Sequence, residues 1–166
     1  MKQFRFEFMD KERLDEWLPL LFDILYTNMS IIAPTGNSYE NDKNIWIPAV
    51  SKGLEREQRQ IIIMYDGETL AGYFQYYINE GVFMVEEIQL MPAYQSTTLL
   101  FALFRYLSKI LTEDAQYIAA YAHKKNFHSQ SIIKKLGMEL AGENKNGNSY
   151  FYRGDYKKVR ARFRKV

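Results

Sequence analysis

The sequence predicts a mixed α/β (α+β) fold, and three observations lead there. Short apolar or alternating runs suited to strands recur between longer segments whose apolar residues fall three and four apart, the spacing of one helix face. Asp66-Gly67 and Asn79-Glu80-Gly81 separate three such runs at hairpin distance. The composition, 47% hydrophobic and 25% charged over 166 residues, supports one sizeable core and is too apolar for disorder.

Phe4, Phe6 and Phe8 alternate with polar residues, as in a strand with one buried face. Asp10 stands where it can cap a following helix, whose apolar face is Leu14, Trp17, Leu18, Leu21, Phe22 and Leu25. Pro19 lies inside that pattern and predicts a kink or a restart. From Thr27 to Asn44 the chain is rich in Asn, Ser, Pro and Gly and reads as an irregular loop; a second helix follows from about Glu40 to Leu54.

Ile61, Ile62, Ile63 and Met64 make a continuous apolar run inside a strand from Arg59 to Tyr65. Gly67 tolerates the positive φ of a type I′ turn, so the next strand, about Thr69 to Ile78, pairs back. A third strand from Val82 to Met91 completes a meander, and Pro92 stops it. The helix over about Thr97 to Leu111 gathers Leu99, Leu100, Leu103, Phe104, Leu107, Ile110 and Leu111 on one side. A strand from Ala115 to Ala122, a helix from Asn126 to Leu136 ended by Gly137, and a hairpin of Met138–Ala141 with Tyr150–Arg153 follow. The order is β-α-α-β-β-β-α-β-α-β-β, and residues 1–155 read as one domain.

Several chemistries are excluded. The chain has no cysteine, hence no disulfide, thiolate nucleophile or cysteine metal site. Its nine glycines form no G-x-G-x-x-G and no phosphate-binding P-loop, and no G-x-S-x-G is present. Two histidines, His123 and His128, are too few for a zinc site or a serine–histidine triad, so no metal is expected. Met1-Lys2-Gln3-Phe4-Arg5 does not open a signal peptide, and no run approaches the ~18 apolar residues of a membrane span. The expectation is a cytoplasmic protein that avoids membranes. The last eleven residues, Tyr156 to Val166, hold six of the 22 basic residues and none of the 20 acidic ones, which leaves residues 1–155 with 16 basic against 20 acidic, a net of −4. Residues 156–166 therefore read as a solvated basic tail. With the rest of the chain acidic, nucleic acid is a disfavoured partner.

The chemistry concentrates at Ile88-Gln89-Leu90-Met91-Pro92-Ala93-Tyr94-Gln95-Ser96-Thr97-Thr98-Leu99-Leu100, where a strand ends at a proline and a short loop opens an apolar-faced helix. Free N–H groups and the positive dipole end make a helix N-terminus an anion site, and a pyrophosphate suits it. This segment resembles the cofactor motif of the GNAT superfamily of N-acetyltransferases, in which a strand ending in a V-x-P-like tripeptide is followed by Q/R-x-x-G-x-G/A. Leu90-Met91-Pro92 matches the tripeptide and Gln95 the leading Q/R, while Asn126, Ser129, Gly137 and Met138 fall in a second motif. The resemblance covers about Arg59 to Arg153. It implies a mixed, mostly antiparallel central sheet flanked by helices on both faces. It also implies acetyl-CoA, or another acyl-CoA, as co-substrate and a small-molecule or peptide amine as acceptor; a homodimer is compatible with it.

The cofactor-binding residues it implies are Ile88, Leu90, Gln95, Ser96, Thr97, Thr98, Leu99, Leu100, Asn126 and Ser129. An amine with pKa near about 10 is mostly protonated at neutral pH and needs a base. Glu86 and Glu87 are the carboxylates on the motif strand; as neighbours they face opposite sides, and Glu86 is the first choice. Thr98 and Leu100 replace both motif glycines, and Ile133 stands where many members have the tyrosine that protonates the departing thiolate. That role then falls to water, Ser129 or Tyr121. The alternative is a non-catalytic GNAT-like binding or regulatory module.

Overall fold

The computed structural model describes residues 3–56, 58–95, 97–111 and 114–165. Along the chain run β1 (Phe4–Phe8), α1 (Leu14–Ile32), α2 (Tyr39–Arg56), β2 (Gln60–Asp66), β3 (Thr69–Asn79), β4 (Val82–Leu90), α3 (Thr97–Ile110), β5 (Tyr117–His123), α4 (Phe127–Lys135), β6 (Glu139–Glu143), β7 (Ser149–Asp155) and α5 (Tyr156–Arg162). Two short 3-10 turns, Lys11–Arg13 and Pro92–Tyr94, precede α1 and α3. The fold is mixed α/β, with a seven-stranded, mostly antiparallel sheet in the order β1-β2-β3-β4-β5-β7-β6. β1 runs antiparallel to β2, and β7 runs antiparallel to both β5 and β6. β4 and β5 are parallel, with Val82 opposite Tyr117 and Val85 opposite Ala120. At the β3–β4 turn both Glu80 and Gly81 adopt positive φ, 48° and 76°. That is the type I′ pattern, found one hairpin later than the sequence suggested.

The chain divides into two compact units, Met1–Gln75 with Glu87–Gln95, and Tyr76–Glu86 with Ser96–Val166. The first has a core of Met9, Leu18, Leu21, Ile24, Val50, Leu54, Ile61, Ile63 and Tyr73. α1 does not end near Thr27 as the composition suggested. It runs on to Ile32, through Pro19 without a break in assignment, and leaves only residues 33–38 as the loop before α2. Two side-chain bonds hold the extra turns: the Thr27 hydroxyl donates to the Asp23 carbonyl at 2.8 Å, and Asn28 bonds to β4. An aromatic cluster packs the α1–α2 pair, with the Phe22 ring centroid 5.3 Å from Tyr39 and 5.7 Å from Trp46.

The second unit buries Leu99, Leu103, Phe104 and Leu107 of α3 with Ile118 and Ala119 of β5. The segment expected as a solvated tail is corrected here. Asp155 caps α5 by accepting from the Lys158 N–H, and Tyr156, Val159 and Phe163 are all buried. The Tyr156 ring stacks on Phe83 at 5.6 Å and Phe163 on Phe104 at 5.1 Å. The basic residues hid an i, i+3, i+7 apolar stripe at 156, 159 and 163. Arg162 also donates to the Lys135 carbonyl at 3.3 Å, so one of the cations serves the open C-terminal end of α4.

Candidate active site

The end of β4 is set from two sides. On β3, Gly72 lies against it so closely that a Cβ there would sit 2.3 Å from the Gln89 carbonyl oxygen and 3.0 Å from the Leu90 Cα. Only glycine permits that approach. The pairing continues past the strand, the Met91 N–H donating to the Ala71 carbonyl at 2.8 Å. From α1, Asn28 Nδ2 donates to the Leu90 carbonyl at 2.9 Å and to Gln89 Oε1 at 3.0 Å. Gln95 Nε2 donates to Asn28 Oδ1 at 2.8 Å, and Gln89 Nε2 donates to Glu87 at 2.8 Å. A continuous polar chain thus runs Glu87–Gln89–Asn28–Gln95, with Leu90 as a branch.

Its polarity is forced. An ionised carboxylate only accepts, so the Gln89 amide must turn its NH2 to Glu87 and its oxygen to Asn28. The Leu90 carbonyl also only accepts, so Asn28 presents NH2 to both and keeps its oxygen for Gln95. Gln89 is buried and Glu87 half-buried, so the bonds at Gln89 are partly shielded from water, while the Gln95–Asn28 bond is exposed. Tyr73 is fully buried on β3, and its hydroxyl has no hydrogen-bond partner among the described residues. Burial, and then the neighbouring Glu87 charge, push that hydroxyl well above the usual tyrosine range, so it stays protonated.

Thr97 opens α3; its side chain, and the whole of Ser96, lie outside the described residues. Thr98 is exposed, whereas Leu99 and Leu100 are buried in the core. Leu99 and Leu100 therefore offer a ligand main-chain N–H groups rather than side chains. No acidic residue stands in the first turn of α3. The glycine-free loop forms a 3-10 turn over Pro92–Tyr94, and the expected entry into α3 at Ser96 lies outside the described residues.

In the second unit, Asn126 is the N-cap of α4, its Oδ1 accepting from the Ser129 N–H at 3.1 Å, so two expected ligand contacts meet each other. Ile133 is buried on the same helix. Tyr121 is half exposed on β5, its ring 4.9 Å from Phe151. Glu86 is half-buried, two residues beyond Met84, which lies opposite Ala119. Glu87, Leu90 and Gln95 are thus joined in one network, while Leu99, Leu100, Asn126 and Ser129 serve the core or a helix cap.

Asn28 and Gln130 were missed by the sequence reading. Buried Gln130 donates to the His123 and Lys124 carbonyls at 3.2 and 2.9 Å and accepts from the Tyr152 hydroxyl at 3.5 Å. Burial, and then Tyr150, raise the Tyr152 hydroxyl above its usual range. The signal for Gln89 was present, because an amide inside an apolar strand must find partners. Asn28 gave none, being read as one more loop residue. Among the described residues no group of acidic and histidine side chains is arranged to hold a metal ion, and no helix is long and apolar enough to cross a membrane.

No protein-family model matches this chain, and no curated protein is similar to it in sequence. Solved structures are similar in fold. The PaiA N-acetyltransferase from Thermoplasma acidophilum, in complex with coenzyme A, superposes with a TM-score of 0.64 at 18% identity, covering 93% of this chain and 99% of that one. Aminoglycoside acetyltransferase AAC(6')-Ib, also with coenzyme A, gives 0.67 at 16% identity, with 96% and 98% covered. A mutant spermidine N-acetyltransferase from Vibrio cholerae gives 0.64 at 11% identity, with 97% and 96% covered. The chain has the fold of the GNAT superfamily of N-acetyltransferases.

Proposed function

We propose that this protein transfers an acyl group, acetyl first of all, from a coenzyme A thioester to an amine by direct attack. The observation that supports it best is the β4–α3 junction. There a strand end pinned on both sides leads into a helix whose first turn is free of acidic side chains, on a fold whose solved examples include coenzyme A complexes. The α3 N–H groups with Thr98 hold the diphosphate, and the main chain of Ile88 to Leu90 receives the amide-bearing arm. Coenzyme A supplies the activated acyl carbonyl. Main-chain N–H groups near Leu90 stabilise the charge that grows on its oxygen. Glu86 or Glu87 takes the amine proton, directly or through a water, and water, Ser129 or Tyr121 returns one to the sulfur.

The acceptor is read as a cationic amine, in keeping with neighbours named for spermidine and aminoglycosides. The cytoplasm is the assigned compartment. Titration calorimetry with coenzyme A and acetyl-CoA tests the reading, followed by thiol release with a panel of amines. Micromolar binding and amine-dependent thiol release are expected; no heat at millimolar ligand would end it. Ile133 at the usual tyrosine position motivates a second reading, a binding module without turnover. It would be recognised by tight coenzyme A binding with no thiol release from any amine.

A further inference from the structure

We infer that Asn28 of α1 is the positioning residue of the acyl-CoA site: one amide staples both ends of the β4–α3 loop and, through Gln89, orients Glu87. This rests on the function proposed above and adds to it a residue outside the motif strand and its helix.

Leu90 is the last residue of β4 and Gln95 the last described residue before α3, five positions apart, and both are bonded to the same side chain. Between them the Pro92–Tyr94 turn carries Tyr94 N–H to the Met91 carbonyl at 2.8 Å and Gln95 N–H to the Pro92 carbonyl at 3.4 Å, and the Tyr94 side chain bonds to Asp66. Asn28 closes this glycine-free loop from the α1 side. Gln95 Nε2 also approaches the Leu90 carbonyl at 3.4 Å, so the two ends draw together at the amide. Removing the amide leaves the Gln89 oxygen without its partner, while the Leu90 carbonyl and Gln95 Nε2 keep only their long mutual contact of 3.4 Å. The second arm sets the carboxylate. Gln89 has its amide turned by Asn28, and the N–H it presents fixes Glu87 on the strand.

The two arms separate in experiment. Asn28→Leu removes all three bonds; Asn28→Asp keeps the volume and the bond to Gln95 but loses both donors. Both variants are expected to weaken coenzyme A binding at least about tenfold, which is ~1.4 kcal/mol. Asn28→Leu with Gln95→Met should be little worse than Asn28→Leu alone, since one staple can be lost only once. Gln89→Met, similar in size, should lower kcat several-fold while leaving coenzyme A affinity within twofold. If Asn28→Asp binds coenzyme A like the wild type, or if Gln89→Met alters affinity and kcat alike, the inference is overturned. Wild-type protein that does not bind coenzyme A defeats the proposed function instead. The staple is then judged by hydrogen exchange of the Tyr94 and Gln95 amides in the ligand-free chain, and it stands only if Asn28→Leu speeds them.

Discussion

Two residues on β3 make opposite demands. Gly72 has no room for a side chain, because the atoms a Cβ would meet belong to the backbone of β4 rather than to a flexible tip. Gly72→Ala is therefore expected to cost about 1 to 3 kcal/mol, the range for overpacking, and to weaken coenzyme A binding as well. Urea unfolding and calorimetry read the two effects, and an unchanged midpoint would mean that β4 yields easily. One position on, Tyr73 carries a buried hydroxyl without a partner among the described residues. Tyr73→Phe removes a polar group that the fold leaves unsatisfied, so melting should be unchanged or higher. The sign of its pH effect follows from the raised pKa. The hydroxyl stays protonated in the folded chain and ionises near 10 in the unfolded one, so this contribution is whole below about pH 10 and is lost as pH climbs toward the folded value. Tyr73→Phe should flatten the loss of stability above about pH 10; an identical alkaline limb would show that Tyr73 is not its source. Neither demand was legible in the sequence. Gly72 looked like one of nine glycines, and Tyr73 like one of three strand tyrosines.

Among the elements, most were readable because their signals were local. The apolar run at Ile61 to Met64 and the leucine stripe after Thr97 each became what their periodicity required; Asp10 instead caps the 3-10 turn ahead of α1, accepting from the Glu12 N–H at 2.9 Å, and the N-cap of α1 itself, Arg13, makes no side-chain cap bond. The failures came where tertiary bonds outweighed composition. α1 holds Thr27, Asn28 and Ser30 in helix although such residues favour loops, since Asn28 has partners more than sixty positions away. α5 was hidden by charge. Its basic residues point outward from a stripe whose three members are almost wholly buried. Phe163→Ala should accordingly cost about 3 to 5 kcal/mol, as for other large core truncations, and removal of residues 156–166 should prevent stable folding. A truncated chain that melts like the intact one would restore the description of this segment as a loose tail.

For the whole molecule, the fold was legible and the bonding around the β4–α3 junction only partly so. A strand, a proline and an apolar-faced helix in the right order pointed to the fold even with both motif glycines absent. The side chain that ties this junction together, Asn28, comes from a helix about sixty residues earlier, and no local pattern reports it. Charge at this scale gives one more expectation. If the acceptor is a cation attracted by carboxylates such as Glu86 and Glu87, its KM should rise as NaCl goes from about 0.1 to about 1 M, which shortens the screening length from about 10 to about 3 Å. Steady-state kinetics would show it, and a KM indifferent to salt would exclude long-range attraction.

The strand order has a consequence for self-association. β1 and β6 form the two margins of the sheet. β1 carries the exposed Arg5–Glu7 ion pair, with Glu68 3.7 Å from Arg5. β6 carries Glu139 and Glu143 and breaks its register between Leu140 and Gly142. A strand from another molecule would have to bury charge at either rim, and at β6 it would also meet a kinked template. Sheet growth by edge addition is disfavoured on both sides, so a second copy would have to dock through side chains rather than through backbone hydrogen bonding.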